Sequence, residues 1–271
     1  MGFSPLDSQT FYLATQYLLA THDKGIHWEQ ASPDLTAADE EATKPPSDNP
    51  PGRGSPVPAI GALAFSPQDA KVIWAGTTNG LIQLTRDGGG HWDNVASGDL
   101  AKAGGVTALE ASASDAARAF AIVGGARAGT GPGGGVSGGS APRIYRTGDY
   151  GKTWKPVVNG LPASAAHAVR EDPLNRNLVF AALETGMFVS FNGGDDWQSL
   201  QLNLPAASCR DLAIEQNDLI VATYGRALWA IDDISPLRDL AGHSPAPSQS
   251  AYLFAPADAV RMQWDTYTRC V

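Results

Sequence analysis

Cysteine is scarce: Cys209 and Cys270 are the only two in 271 residues, too few to make a disulfide framework, and Cys209 reads as a small buried side chain in a strand. No apolar run approaches the roughly 20 residues that a membrane span needs. Basic residues are in deficit, 19 Lys and Arg against 28 Asp and Glu, giving a net charge of −9 and a pI near 4.9. That balance argues against nucleic acid as a partner, because phosphate binding needs a basic patch and the sequence shows none. The five histidines, His22, His27, His91, His167 and His243, include no metal-ligand cluster. No Gly-x-Ser-x-Gly nucleophile elbow occurs, and the Gly-rich stretch at 124–141 lacks the Gly-Lys-Ser/Thr ending of a phosphate loop. Neither a metal nor a cofactor is expected.

Hydrophobic residues make up 43% of the chain, with 30 Gly and 19 Pro, a composition suited to a compact all-β protein with a sizeable core. Four of the seven tryptophans close a recurring corner: Thr21 to Trp28, Thr85 to Trp92, Thr147 to Trp154 and Ser190 to Trp197. In each, a Ser or Thr hydroxyl and an Asp or Asn side chain serve backbone N–H groups, Gly supplies positive φ, and the indole covers apolar ground. Thr147-Gly148-Asp149-Tyr150-Gly151-Lys152-Thr153-Trp154 is the most regular copy. His27 and His91 replace its Thr, and the fourth copy carries Asn192 for Asp and Asp196 for Thr.

A second landmark precedes each corner, at Ser4-Pro5, Ser66-Pro67, Ser112-Ala113 and Asp172-Pro173, followed at one fixed offset by Tyr12, Trp74, Phe120 and Phe180. Short β-type runs such as Val72–Gly76 and Leu81–Leu84 fill the intervals. The unit reads strand, Ser-Pro turn, strand, Gly turn, strand, corner, strand. Repeated radially, it is the β-propeller plan of four-stranded blades. Residues 37–55 and 124–141, rich in Pro, Gly and small polar residues, read as mobile insertions between strands.

A fifth unit without a tryptophan corner runs from Cys209 to Ile231 and sets Tyr224 where Glu184 stands and Arg226 where Gly186 stands. The expectation is an all-β propeller of about five blades over residues 1–235, either closed or part of a larger ring, with a C-terminal extension at 236–271. The first blade is expected to lack its opening strand, which Ala251–Phe254 is a candidate to supply.

The corners resemble the Asp-box, or BNR repeat, of sialidases, some xyloglucanases and sortilin. Three segments extend the likeness over nearly the whole chain: Val169–Pro173, Ala222–Arg226 and Ile231–Leu237. Together they resemble the C-terminal part of large bacterial BNR-repeat proteins related to sortilin and often labelled glycosyl hydrolase. The resemblance implies a carbohydrate or peptide ligand and an extracellular or periplasmic setting; an incomplete propeller with an open edge is expected to associate with further blades or with a second copy, since unpaired strand edges seek partners.

In such a blade the Asp-box carboxylates Asp23, Asp87 and Asp149 lie at the periphery and are structural. Candidate site residues come from the Gly turns and the inner strands: Thr78, Asn79, Glu184, Tyr224 and Arg226 on turns, with His167 and Asp211 on inner strands at similar heights, and Arg210 beside them. A glycosidase needs two carboxylates about 5 to 9.5 Å apart, and Glu184 with Asp211 is the candidate pair, Tyr224 and Arg226 orienting the sugar. The plain alternative is a solvated Glu and an Asp that bonds a neighbouring N–H. A sialidase-like arginine triad is not supported, because Arg170 precedes a turn on the face opposite the Gly turns. Two classes remain: a glycoside hydrolase, and a noncatalytic peptide- or protein-binding module like the sortilin propeller.

Overall fold

The computed structural model describes residues 2–37, 57–124, 141–242 and 253–254. The two insertions fall almost wholly outside these residues, as do Cys270, Trp264, Ala251 and Tyr252.

The strands form five antiparallel meanders in chain order. The first sheet holds β1 (Gly2–Ser4), β2 (Asp7–Ala14), β3 (Leu18–Thr21) and β4 (Glu29–Gln30); the second, β5 (Ile60–Phe65), β6 (Ile73–Thr77), β7 (Ile82–Thr85) and β8 (Asp93–Asn94). The third holds β9 (Val106–Ala111), β10 (Ala119–Val123), β11 (Ile144–Thr147) and β12 (Lys155–Pro156); the fourth, β13 (Ala166–Glu171), β14 (Val179–Leu183), β15 (Gly186–Ser190) and β16 (Gln198–Ser199). The fifth has three strands, β17 (Cys209–Glu215), β18 (Asp218–Thr223) and β19 (Leu228–Ile231), and is followed by helix α1 (Ser235–Gly242).

Each sheet stacks on the next through an apolar layer. Trp74 and Leu84 meet Val106 and Ala121 between the second and third sheets, Phe120 meets Val179 and Leu183 between the third and fourth, and Phe180 meets Leu212 and Val221 between the fourth and fifth. The fixed-offset aromatics explain themselves here: Trp74, Phe120 and Phe180 are fully buried on the face of their sheet that meets the next one, each stabilising by about 2–3 kcal/mol through burial alone. The inner strands β1, β5, β9, β13 and β17 converge on a central cleft of 580 Å³ lined by Phe3, Phe65, Glu110, Arg170 and Asp211. Sheets stacked face to face around such a cleft are the blades of a β-propeller.

The corners are built alike despite their unlike sequences. In the third, the Thr147 hydroxyl donates to Asp149 at 2.8 Å and accepts the Gly151 N–H at 3.0 Å, while Asp149 accepts the Thr153 N–H at 2.9 Å and hydroxyl at 2.7 Å. In the first and second corners, His27 and His91 place Nδ1 where that hydroxyl stands, 2.5 and 2.9 Å from Asp23 and Asp87. In the fourth the donor and acceptor are exchanged: the Asn192 amide donates to Asp196 at 2.7 Å, and its oxygen accepts the Asp196 N–H at 2.9 Å. The altered fourth copy is therefore as fully bonded as the third. The carboxyls of Asp23, Asp87 and Asp149 are all held below the usual range; backbone and side-chain hydrogen bonds do this at the first two, and at Asp149 the bonds from Thr153 outweigh burial.

Two expectations change. A short opening strand, Gly2–Ser4, does pair with β2, so the first sheet is four-stranded. In the fifth unit a helix replaces the corner. Arg238 of α1 binds the fully buried Asp172 at 2.8 Å and the Gln216 carbonyl at 2.7 Å, and Leu237 and Ala241 pack on the layer between the fourth and fifth sheets. Leu253 and Phe254 stand outside any strand.

Candidate functional site

One irregularity recurs in the inner strands and sets the site. Register shifts leave Gly61, Thr107, His167 and Arg210 unpaired, each two residues beyond a carbonyl that accepts an N–H from the Gly-turn end of the neighbouring strand. Those bonds run from Thr78 to Ala59, Gly124 to Gly105, Glu184 to Ala165 and Tyr224 to Ser208, all at 2.8 Å. A bulge inserts one residue and re-aims its side chain. It places His167 beside Glu184 and Arg210 beside Tyr224. Arg210, rather than Asp211, therefore occupies in the fifth sheet the place of His167, a correction that no alternating pattern in the sequence reveals.

Four candidate residues consequently meet at the Gly-turn end of the fourth and fifth sheets. His167 Nε2 lies 2.7 Å from Glu184 Oε2, Arg210 reaches the same oxygen at 3.2 Å, and the Arg210 guanidinium sits 5.2 Å from the centre of the Tyr224 ring. Burial alone raises the Glu184 pKa, but the hydrogen bond from His167 and the charge of Arg210 outweigh it, and the carboxyl is held below its usual range. Tyr224 is 74% exposed. Arg226 is exposed on the same turn, and its carbonyl accepts the Trp229 indole N–H at 2.7 Å.

Asp211 belongs to a different group. It accepts its neighbour's N–H, from Leu212, at 2.8 Å and the Arg170 guanidinium at 3.0 Å. Arg170 also holds Glu110 at 3.1 Å, so one guanidinium bridges two carboxylates in the central cleft. Desolvation pushes the Glu110 carboxyl up to about 7; Arg170 opposes the shift, and the nearby Glu171 and Asp211 add to it. Glu110 escaped the sequence reading. Its signal is a charged residue two places before the landmark serine, where the second sheet has Ala64.

Thr78 and Asn79 are turn-builders: the Thr78 hydroxyl accepts the Ala59 N–H at 3.0 Å, and Asn79 accepts the Thr77 hydroxyl at 2.6 Å and donates to the Thr36 carbonyl at 2.8 Å. Among the described residues no three His, Cys, Asp or Glu side chains converge as metal ligands, and no helix is long and apolar enough to cross a membrane.

The fold and this geometry define a β-propeller. No family model and no curated protein matches the chain. Among solved structures it is similar to an ancestral GH74 enzyme (16% identity, TM-score 0.58, 82% of this chain and 26% of that one) and to the GH74 enzyme of Niastella koreensis (17%, 0.57, 85% and 35%). It is similar also to the Cps50 (Swd1) β-propeller domain of Myceliophteria thermophila (8%, 0.52, 84% and 63%). At these identities the likeness is one of fold. The chain spans about a quarter to a third of the two GH74 chains.

Proposed function

We propose that the chain is a noncatalytic binding propeller whose Gly-turn rim, centred on Tyr224 over Arg210, takes a peptide carrying an acidic group. The observation that carries this reading is the state of the two candidate carboxylates: Glu184 is engaged by His167 and Arg210, and Asp211 by Arg170. A general acid needs a proton near neutral pH, and Glu184 is shifted the wrong way. The rim instead offers an exposed aromatic face, backed by one cation and flanked by Arg226, which suits stacking and carboxylate capture. The bonding of the corners supports the likeness to the Asp-box, and with it the extracellular or periplasmic setting that the likeness implies. Isothermal titration with acidic and basic peptides and with xyloglucan oligosaccharides tests the reading. Acidic peptides bind, and Tyr224→Ala and Arg226→Gln each weaken binding about tenfold, the 1.4 kcal/mol expected of one good contact. Equal affinity in both variants removes the site.

The hydrolase reading retains one specific support, Glu110, a carboxyl near neutrality in a cleft that also holds Asp211. Turnover of aryl glycosides or xyloglucan that disappears in Glu110→Gln replaces the binding reading with that one.

Self-association through the open face of the first sheet also belongs to this reading. Trp154 and Trp197 donate to carbonyls of the preceding sheet, Val95 and Val157, both at 2.9 Å, whereas Trp28 donates to its own Gly25. With Phe3 and Phe11 it forms an exposed aromatic groove of 540 Å³, and a second copy is the occupant we assign, since inter-sheet stacking already repeats along the chain. Sedimentation shows a concentration-dependent dimer that Trp28→Ser abolishes; a monomer throughout ends the idea.

A further inference from the structure

Near-identical sheets make a position that changes character in one of them conspicuous. The N–H groups of Ser66, Ser112 and Asp172 donate to the carbonyls of Val72, Arg118 and Leu178 at 3.1, 3.0 and 2.9 Å, which fixes those three as equivalent. Val72 and Leu178 are buried in apolar layers; the third sheet has an arginine there. Immediately before the corner, Leu84 and Val189 are likewise buried and apolar, and the third sheet has Arg146. Just after the corner tryptophan, Asp93 and Gln198 correspond to Lys155. Across the junction Arg176 stands where the second and third sheets have Ala70 and Ala116. The corner itself opens: Gly148 replaces Arg86 and Phe191, and a Cβ there meets nothing within 4 Å.

These departures converge on one cavity of 430 Å³ between the third and fourth sheets, lined by Arg118, Arg146, Lys155 and Arg176, with Asp195 its only carboxylate among the lining residues. Glu171 answers Arg118 at 2.8 Å, Asp195 is shared by Arg146 at 3.1 Å and Lys155 at 2.8 Å, and Arg176 reaches Asp115 only at 3.9 Å. Three carboxylates thus serve four cations. The excess is local, because the chain as a whole carries −9. Arg118 is preorganised: its side chain is 8% exposed, donates to the Arg176 and Gly193 carbonyls at 3.2 Å each, and lies 5.2 Å from the centre of the Phe120 ring.

We propose that this cavity binds a small oxyanion group, a sulfate or phosphate, free or as an ester on a larger ligand. Guanidinium groups present parallel N–H donors that fit such oxygens, and a partly desolvated site strengthens each contact. The cavity lies at the corner end of the strands, opposite the Tyr224 rim, and is independent of the reading given there.

Isothermal titration and thermal shift with sodium sulfate, against sodium chloride at matched ionic strength, test it. Wild-type protein gives a saturable sulfate isotherm and a dose-dependent rise in melting temperature. The double variant Lys155→Gln/Arg176→Gln, altering two side chains that are 64% and 50% exposed, keeps its melting temperature in chloride and loses at least tenfold in sulfate affinity. Phenyl sulfate and phenyl phosphate, titrated alongside, separate an ester ligand, which binds more tightly than inorganic sulfate, from a free anion, which does not. No saturable sulfate binding, or a double variant that titrates like wild type, overturns the assignment.

Discussion

At the scale of single residues, the corners show that bonding pattern, rather than side-chain identity, is what recurs. Asn192 and Asp196 exchange the roles that Asp149 and Thr153 play one sheet earlier, with the same distances to within about 0.1 Å. Asn192→Asp alone faces one carboxylate with another and removes the amide donor, so it costs about 1–2 kcal/mol. Adding Asp196→Thr rebuilds the third corner and returns stability to within about 0.5 kcal/mol of wild type, a coupling that a double-mutant cycle in urea measures. An additive pair of losses shows that the two side chains act separately. The corners were legible in the sequence because their chemistry is confined to eight residues. Their completeness was not: whether His27 or Asp196 can stand in for a threonine hydroxyl depends on where its polar atom arrives.

At the scale of elements, regular strands were readable and interruptions were not. The fixed-offset aromatics marked the repeat without saying what they do; Trp74, Phe120 and Phe180 prove to be buried between sheets, whereas Tyr12 is half-buried. The bulges at His167 and Arg210 are register events, set by how two strands pair, and alternation along one strand cannot show them. Helix α1 was hidden for another reason: its anchor, Arg238, finds its partners in two different sheets. In the second and third sheets a serine, Ser66 or Ser112, sits where Asp172 sits, accepting the N–H two residues on at 3.1 and 3.2 Å. Arg238→Met strands the fully buried Asp172 carboxylate, at a cost of about 3–5 kcal/mol, and frees the helix amides to exchange. Arg238→Met with Asp172→Ser removes the orphaned charge while leaving the turn its acceptor. That double variant recovers most of the loss in denaturant titrations while α1 remains exchange-labile. A double variant as unstable as the single one places the loss in the helix contacts instead.

At the scale of the whole molecule, the charged residues of the central cleft come from different sheets and could not be paired from a single chain reading. Glu110 on β9, Arg170 on β13 and Asp211 on β17 meet only because three inner strands face one cleft. Their arrangement makes a pH-dependent contribution whose sign is fixed. The Glu110 carboxyl is raised to about 7 in the folded protein, from 4.5, so the folded state holds the proton more tightly than the unfolded one. Its neutral form is compatible with the fold at pH 5, and charging it costs stability as pH rises through 7. Glu110→Gln keeps the group neutral at every pH. The variant is therefore expected to match wild type at pH 5 and to exceed it at pH 8 by on the order of 2 kcal/mol, with the gap opening between those values. Thermal melts of both proteins across that range decide the matter. A variant less stable than wild type at pH 8 shows that the ionised Glu110–Arg170 bridge stabilises the cleft, and that Arg170, rather than desolvation, governs this carboxyl.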